Sequence, residues 1–170
     1  MSSGSELVLM NRERILRSLN RMAHEIAEHN VNDASIDLFG INDRGYAVAD
    51  ALENLLTPIC NDEVQLFQLP LKEKKPQDAL EDIKLRDNHY PVIVDDVIFS
   101  GKTMFEALKI ISSYINPLEI HTAVLIDRGH RKFPIKAEFY GMELPTKLDE
   151  HVSVVVEEQQ LENVKLTKYA

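Results

Sequence analysis

The chain has 170 residues, 44 % of them hydrophobic, and sets nineteen lysines and arginines against twenty-eight aspartates and glutamates, for a net charge of −9. That length suits one domain over 1–170 with a single ordinary core, and the acidic balance argues against a general nucleic-acid binder, whose backbone affinity rests on clustered Lys and Arg. No stretch approaches the roughly 20 apolar residues of a membrane-spanning helix, and MSSGSELVLMNRER lacks the basic start and apolar run of a secretion signal. The expectation is a cytoplasmic protein that contacts no membrane, and the lone Cys60 fits a reducing compartment.

Taken in chain order, residues 10–30 place Ile15, Leu19, Met22 and Ile26 at spacings of three and four, which predicts an amphipathic helix. A short apolar run at 36–41 reads as a strand ending in a polar loop, Asn42-Asp43-Arg44-Gly45, before helical periodicity returns over 46–56. Residues 64–69 form a further strand closed by Pro70. The charged segment 71–89 has no steady apolar period and reads as a mobile loop. A β-branched strand at 91–94, a helix over 104–115 and a strand at 121–126 follow, and the remainder, with a strand at 152–156, forms a small cap. Strands alternating with helices imply an α/β fold with a parallel sheet flanked by helices, and ligands at the carboxyl ends of the strands.

The stretch VIVDDVIFSGKT at 92–103 carries the chemistry. A helix starting near Thr103 leaves its first N–H groups unpaired and presents a partial positive charge, a ready site for a phosphate. Gly101 lets the backbone approach, Ser100 and Thr103 add hydroxyls, and Lys102 adds charge. A nucleotide-binding P-loop is excluded because its earlier glycine would fall at Asp96. Asp95 and Asp96 stand where the strand ends and can accept hydrogen bonds from a vicinal diol, directly or through a metal-bound water. A diol together with a phosphate is a ribose 5-phosphate. His24 opens a zinc-protease-like HEIA, but position 28 is Glu28 and His29 comes one residue too late to share its face.

An apolar strand, Asp-Asp and a Ser-Gly-Lys-Thr turn resemble the phosphoribosyl pyrophosphate signature of type I phosphoribosyltransferases. With RMAHEIAEHN at 21–30, GINDRGYAVADAL at 40–52, AVLIDRGHRKFPIKAEFYG at 123–141 and Leu144-Pro145-Thr146, nearly the whole chain is similar to the family of bifunctional pyrimidine operon attenuators and uracil phosphoribosyltransferases. The resemblance implies the type I phosphoribosyltransferase fold with its small hood. It also implies transfer of the 5-phosphoribosyl group from phosphoribosyl pyrophosphate to a nucleobase, uracil first, with Mg²⁺ as cofactor and a homo-oligomer, dimer or larger. It assigns Phe99, Ser100, Gly101, Lys102 and Thr103 to the 5-phosphate and Asn42, Asp43, Arg44 and Gly45 to pyrophosphate. Asp127, Arg128 and Gly129 go to the base region. Asp95, Asp96 and Arg44 become the catalytic residues, the two aspartates also facing Mg²⁺, directly or through water. Gly45 is expected to tolerate a strained turn.

The alternative reading is a nucleotide-sensing, pyrimidine-operon RNA-binding regulator of the same fold, through Arg21, His24, His130, Arg131 and Lys136, and the net charge of −9 weighs against it. His29, Met142 and Glu143 depart from that basic surface. The segment 71–89 is shorter than its family counterpart and lacks the Arg-Asp-Asp of a closing loop, leaving Lys72, Lys74 and Lys75 as its cations.

Overall fold

The computed structural model describes residues 4–169. Five strands, β2 (Ser35–Ile41), β3 (Val64–Leu69), β4 (His89–Ile98), β5 (His121–Asp127) and β6 (Phe139–Glu143), form a wholly parallel sheet in the order β3-β2-β4-β5-β6. Helices α1 (Arg12–His29), α2 (Asn42–Leu56) and α3 (Lys102–Ile115) cover it. The central strands β2, β4 and β5 read as nearly continuous apolar runs because they are buried on both faces, and all seven residues of β2 are buried. The α/β expectation therefore holds, with β6 as a strand the sequence pattern did not announce.

On α1 the expected stripe of Ile15, Leu19, Met22 and Ile26 is fully buried. The helix begins where the Asn11 side chain accepts the Arg14 N–H at 2.9 Å, an ordinary cap for otherwise unpaired backbone donors. It ends at the buried Asn30, whose side chain donates to the Ala34 carbonyl and accepts the Ala34 N–H, tying helix to strand. With α2, α1 covers the face carrying Ile36, Leu38, Val92 and Val94.

The opposite face carries Phe39, Ile41, Ile93 and Val124, and α3 covers it with Met104, Ala107 and Ile111. One helix leaves part of that face open to water, and segment 71–89 fills the gap, contrary to its reading as a mobile loop. It forms a short 3-10 turn at Pro76–Leu80, buries Leu80 to 5 % exposure and packs Leu71, Ile83 and Leu85 alongside. Arg86 ties its end to Asp62 and Glu63. The apolar residues lack a period because they dock one at a time on a sheet rather than along one helix face.

The hood is a second sheet, antiparallel in the order β1-β8-β7, built from β1 (Ser5–Asn11), β7 (Glu150–Glu157) and β8 (Gln160–Lys168). Its Val152, Val154, Leu161 and Val164 close the α1–α2 core. The sequence reading anticipated only part of β7.

Candidate active site

β4 runs beyond its apolar stretch through Asp95 and Asp96, so both carboxylates stand near the carboxyl end of the sheet's middle strand. Asp95 is 8 % exposed and accepts the Asp96 backbone N–H at 2.8 Å. Burial pushes its pKa well above the carboxylate range, and the neighbouring Asp96 charge pushes the same way. Asp96 is half-buried and lines a cavity of about 710 Å³.

The turn after β4 holds Phe99, Ser100 and Gly101 before α3 begins at Lys102. Gly101 has φ +85°, ψ 0°, a left-handed conformation that costs any other L-residue energy. The Ser100 hydroxyl accepts the Lys102 N–H at 3.2 Å, and its carbonyl accepts the N–H groups of Lys132 and Phe133 at 2.9 and 3.0 Å. Arg131 braces the turn from behind, donating to the carbonyls of Phe99 at 2.8 Å and Ile135 at 2.9 Å and pairing with Asp127 at 2.8 Å. A small cavity of about 100 Å³ lies in this turn, bordered by Ser100, Gly101, Lys102 and Thr103, and shares Asp95, Val97 and Thr103 with the larger one.

Asn42, Asp43, Arg44 and Gly45 are not a loop, as their polarity suggested, but the first turn of α2. The strained position is Asn42, at φ +51°, rather than Gly45. Gly45 is required for a different reason: a Cβ there would stand 2.8 Å from the Val94 carbonyl oxygen and 3.3 Å from the Asp95 carboxylate. That contact presses the turn against β4. The Asn42 side chain accepts the Lys72 N–H at 3.2 Å, and Gln68 donates to Asp43 at 3.0 Å. Asn42, Asp43 and the exposed Arg44 line the large cavity with Asp95, Asp96 and Thr103.

The base region is arranged less simply than its sequence. Asp127 is occupied by the Gly129 N–H and Arg131. Arg128 is buried; it donates to the Thr146 hydroxyl at 2.9 Å and the Glu150 carbonyl at 2.6 Å, fastening the hood to the end of β5. Its guanidinium lies 4.3 Å from the Phe99 ring centroid, and the ring also packs on His130, while Phe99 borders the small cavity of the phosphate turn. Gly129, at φ +78°, leaves backbone open. A cavity of about 390 Å³ adjoins it, bordered by Asp127, Gly129, Arg131, Ile135, Lys136 and Glu143.

Two cations matched to an RNA surface have internal partners. Arg21 donates to the carbonyls of Tyr140 at 2.9 Å and Gly141 at 2.8 Å and pairs with Glu25, while Arg131 braces the phosphate turn. His29 bonds the Tyr90 hydroxyl at 2.7 Å. Gln68, Glu73 and Val156 complete the large cavity from three separate elements, and no local motif marked them. The carboxylate oxygens of Asp43, Asp95 and Asp96 are hard donors. Among the described residues no three His, Cys, Asp or Glu side chains gather into a cage, so this set fits a hard cation that arrives on phosphate oxygens and keeps water ligands.

Residues 9–160 match the family model described as phosphoribosyl transferase domain. The chain is 37 % identical over 159 residues to the bifunctional protein PyrR of Herpetosiphon aurantiacus, covering 88 % of this chain and 89 % of that protein. It is 36 % identical to the protein of that name from Chloroflexus aurantiacus, covering 91 % of each. Among solved structures it superposes on the HGPRT-ase of Leishmania tarentolae in complex with GMP, with a TM-score of 0.75, 17 % identity and coverage of 96 % and 98 %. The hypoxanthine phosphoribosyltransferase of Trypanosoma cruzi gives 0.72, 15 %, 96 % and 97 %; at such identities these two speak for the fold alone. The chain therefore belongs to the phosphoribosyltransferase family, of the type I fold and among its PyrR-like members.

Proposed function

We propose that the protein transfers the 5-phosphoribosyl group of phosphoribosyl pyrophosphate to uracil, giving UMP and pyrophosphate, with Mg²⁺ carried in on the substrate. The observation that supports this most is a pair of adjoining cavities at the strand ends, one at the Ser100–Thr103 turn and one bordered by the Asp95–Asp96 pair and the Arg44 turn, which share Asp95, Val97 and Thr103 as a common wall. A 5-phosphate, a ribose diol and a pyrophosphate come in that order.

In the reaction the base nitrogen supplies the electron pair of the new C1–N bond, the C1–O pair leaves with pyrophosphate, and the base N–H proton is released. The sugar becomes cation-like on the way. Bound Mg²⁺ supplies charge for the departing pyrophosphate. The chain's own share is placement and fixed electrostatics. Backbone N–H groups at the start of α3 take the 5-phosphate, Arg44 takes pyrophosphate oxygens, and Asp95 and Asp96 hold the ribose hydroxyls. Because its pKa is raised, Asp95 stays neutral further up the pH scale than a free aspartate and can donate as well as accept. Asp96, nearer the solvent, faces the ring as it gains positive charge.

Uracil is the proposed acceptor through the PyrR-like resemblance, with backbone near Gly129 reading its edge. The lone Cys60 suits the cytoplasm. Incubation with phosphoribosyl pyrophosphate, Mg²⁺ and a panel of free bases should yield UMP as the dominant nucleotide, with matching pyrophosphate. Nucleotide formed from another base would reassign the acceptor, and the absence of any nucleotide would overturn the enzyme reading.

A further inference from the structure

The two ends of the proposed substrate meet different electrostatics. Around the 5-phosphate the turn 100–103 contributes Lys102, and the only acid on the wall is Asp95, shared with the larger cavity. At the pyrophosphate end Asp43 sits beside Arg44 in the same helical turn, and the cavity wall adds Lys72 against Glu73. The acids Asp43 and Glu73 thus offset the cations Arg44 and Lys72 where a polyanion has to bind.

Asp43 is the acid placed to matter most. It is in the first turn of α2, where a carboxylate satisfies the positive end of the helix dipole. A pyrophosphate would draw on that same partial charge. Gln68, at the end of β3, donates to Asp43 at 3.0 Å and holds the carboxylate at the cavity rim. Arg44 is its immediate neighbour and shares its field with both anions.

Resting on the phosphoribosyl-transfer reading, we infer that Asp43 is a specificity determinant for the charge state of the substrate. It repels the bare pyrophosphate group and admits one already neutralised by a divalent cation. The Asp43 contribution to phosphoribosyl pyrophosphate affinity is therefore unfavourable without a divalent cation and small with one, whereas the product nucleotide, having no pyrophosphate, is indifferent to Asp43.

Calorimetric titration with phosphoribosyl pyrophosphate and with UMP, each at trace and at saturating Mg²⁺, tests this on the wild type and Asp43→Asn. The variant keeps the side chain's size and the acceptor for Gln68. At trace Mg²⁺ it should bind phosphoribosyl pyrophosphate roughly fivefold more tightly, the scale of one unit repulsion near 4 Å in water. The gain should fall below about twofold at saturating Mg²⁺, as cation binding neutralises the ligand. UMP affinity should be unaltered throughout. An unchanged or weakened affinity at trace Mg²⁺, or a parallel change in UMP binding, would overturn the inference. Asp43→Ser gives the same readout if the asparagine variant folds poorly. A wild type that makes UMP beside an indistinguishable variant removes the Asp43 role alone; failure of both proteins to bind phosphoribosyl pyrophosphate removes the phosphoribosyl reading with it.

Discussion

Asp37 and Asp95 are two aspartates on neighbouring strands of one sheet, both buried, and both with pKa values raised chiefly by desolvation. Asp37 lies near the start of β2, fully buried, paired with His89 at 3.2 Å, with one carboxylate oxygen lacking any hydrogen-bond partner. Asp95 lies towards the far end of β4, beside a second carboxylate and on the wall of a large cavity. A perturbed acid marks a functional site only where it faces space for a ligand and converging polar groups. Asp95 has both, and Asp37 has a neighbouring histidine.

The largest expected effect separates the two by activity. Replacing Asp95 and Asp96 together with Asn should lower kcat/KM for nucleotide formation more than tenfold, a loss above about 1.4 kcal/mol of transition-state stabilisation, while leaving the folded state intact. Steady-state kinetics beside a thermal melt checks this. Undiminished turnover would end the ribose assignment and leave the two aspartates alike.

Asp37→Asn should do the reverse, sparing activity and altering stability with pH. The Asp37 pKa rises from 3.8 to about 6 on folding. A folded-state pKa above the unfolded one favours folding fully below pH 3.8, and that contribution is lost as pH climbs through about 6. At roughly 1.4 kcal/mol per unit, ionisation of Asp37 costs the wild type up to about 3 kcal/mol by neutral pH, and an uncharged asparagine escapes that cost. Unfolding at pH 5 and pH 8 should thus show the variant gaining on the wild type as pH rises; a gap independent of pH would contradict it. His89→Gln sharpens the point with a smaller change. His89 holds the Asp37 pKa down by its charge and hydrogen bond, so its loss should move the stability bend to higher pH.

The sequence made one of these aspartates conspicuous and hid the other. Asp95 and Asp96 stand in a contiguous stretch whose chemistry is local, so spacing alone suggests a diol and a phosphate. Asp37 interrupts the apolar run SIDLFGI, a visible anomaly, yet its partner is 52 residues away on another strand. The central strands were legible because double-sided burial demands unbroken apolar runs. The edge strand β6 and the hood, half-exposed and antiparallel in part, carry no such signature. Leu80, Ile83 and Leu85 looked like scattered loop residues because only the bare patch beside α3 gives them a purpose. Arg131 and Arg128 looked like ligand-facing cations, and nothing local told that their guanidinium groups bond backbone carbonyls and Thr146.

The smallest expected effect asks how much of the Asp95 end depends on loop charge. Lys102 is exposed at the first position of α3, and an exposed ammonium contributes modestly in water and less in salt. The N–H groups of the turn are fixed instead by Gly101 and by the Ser100 and Arg131 bonds behind them, which stay when Lys102 goes. Lys102→Ala should therefore weaken UMP binding only about two- to threefold at physiological salt, on the scale of an exposed charge pair. The difference should shrink further as salt rises. A loss greater than that of the double aspartate variant, in affinity or in turnover, would make the loop cation the dominant element and reduce the strand carboxylates to the standing of Asp37.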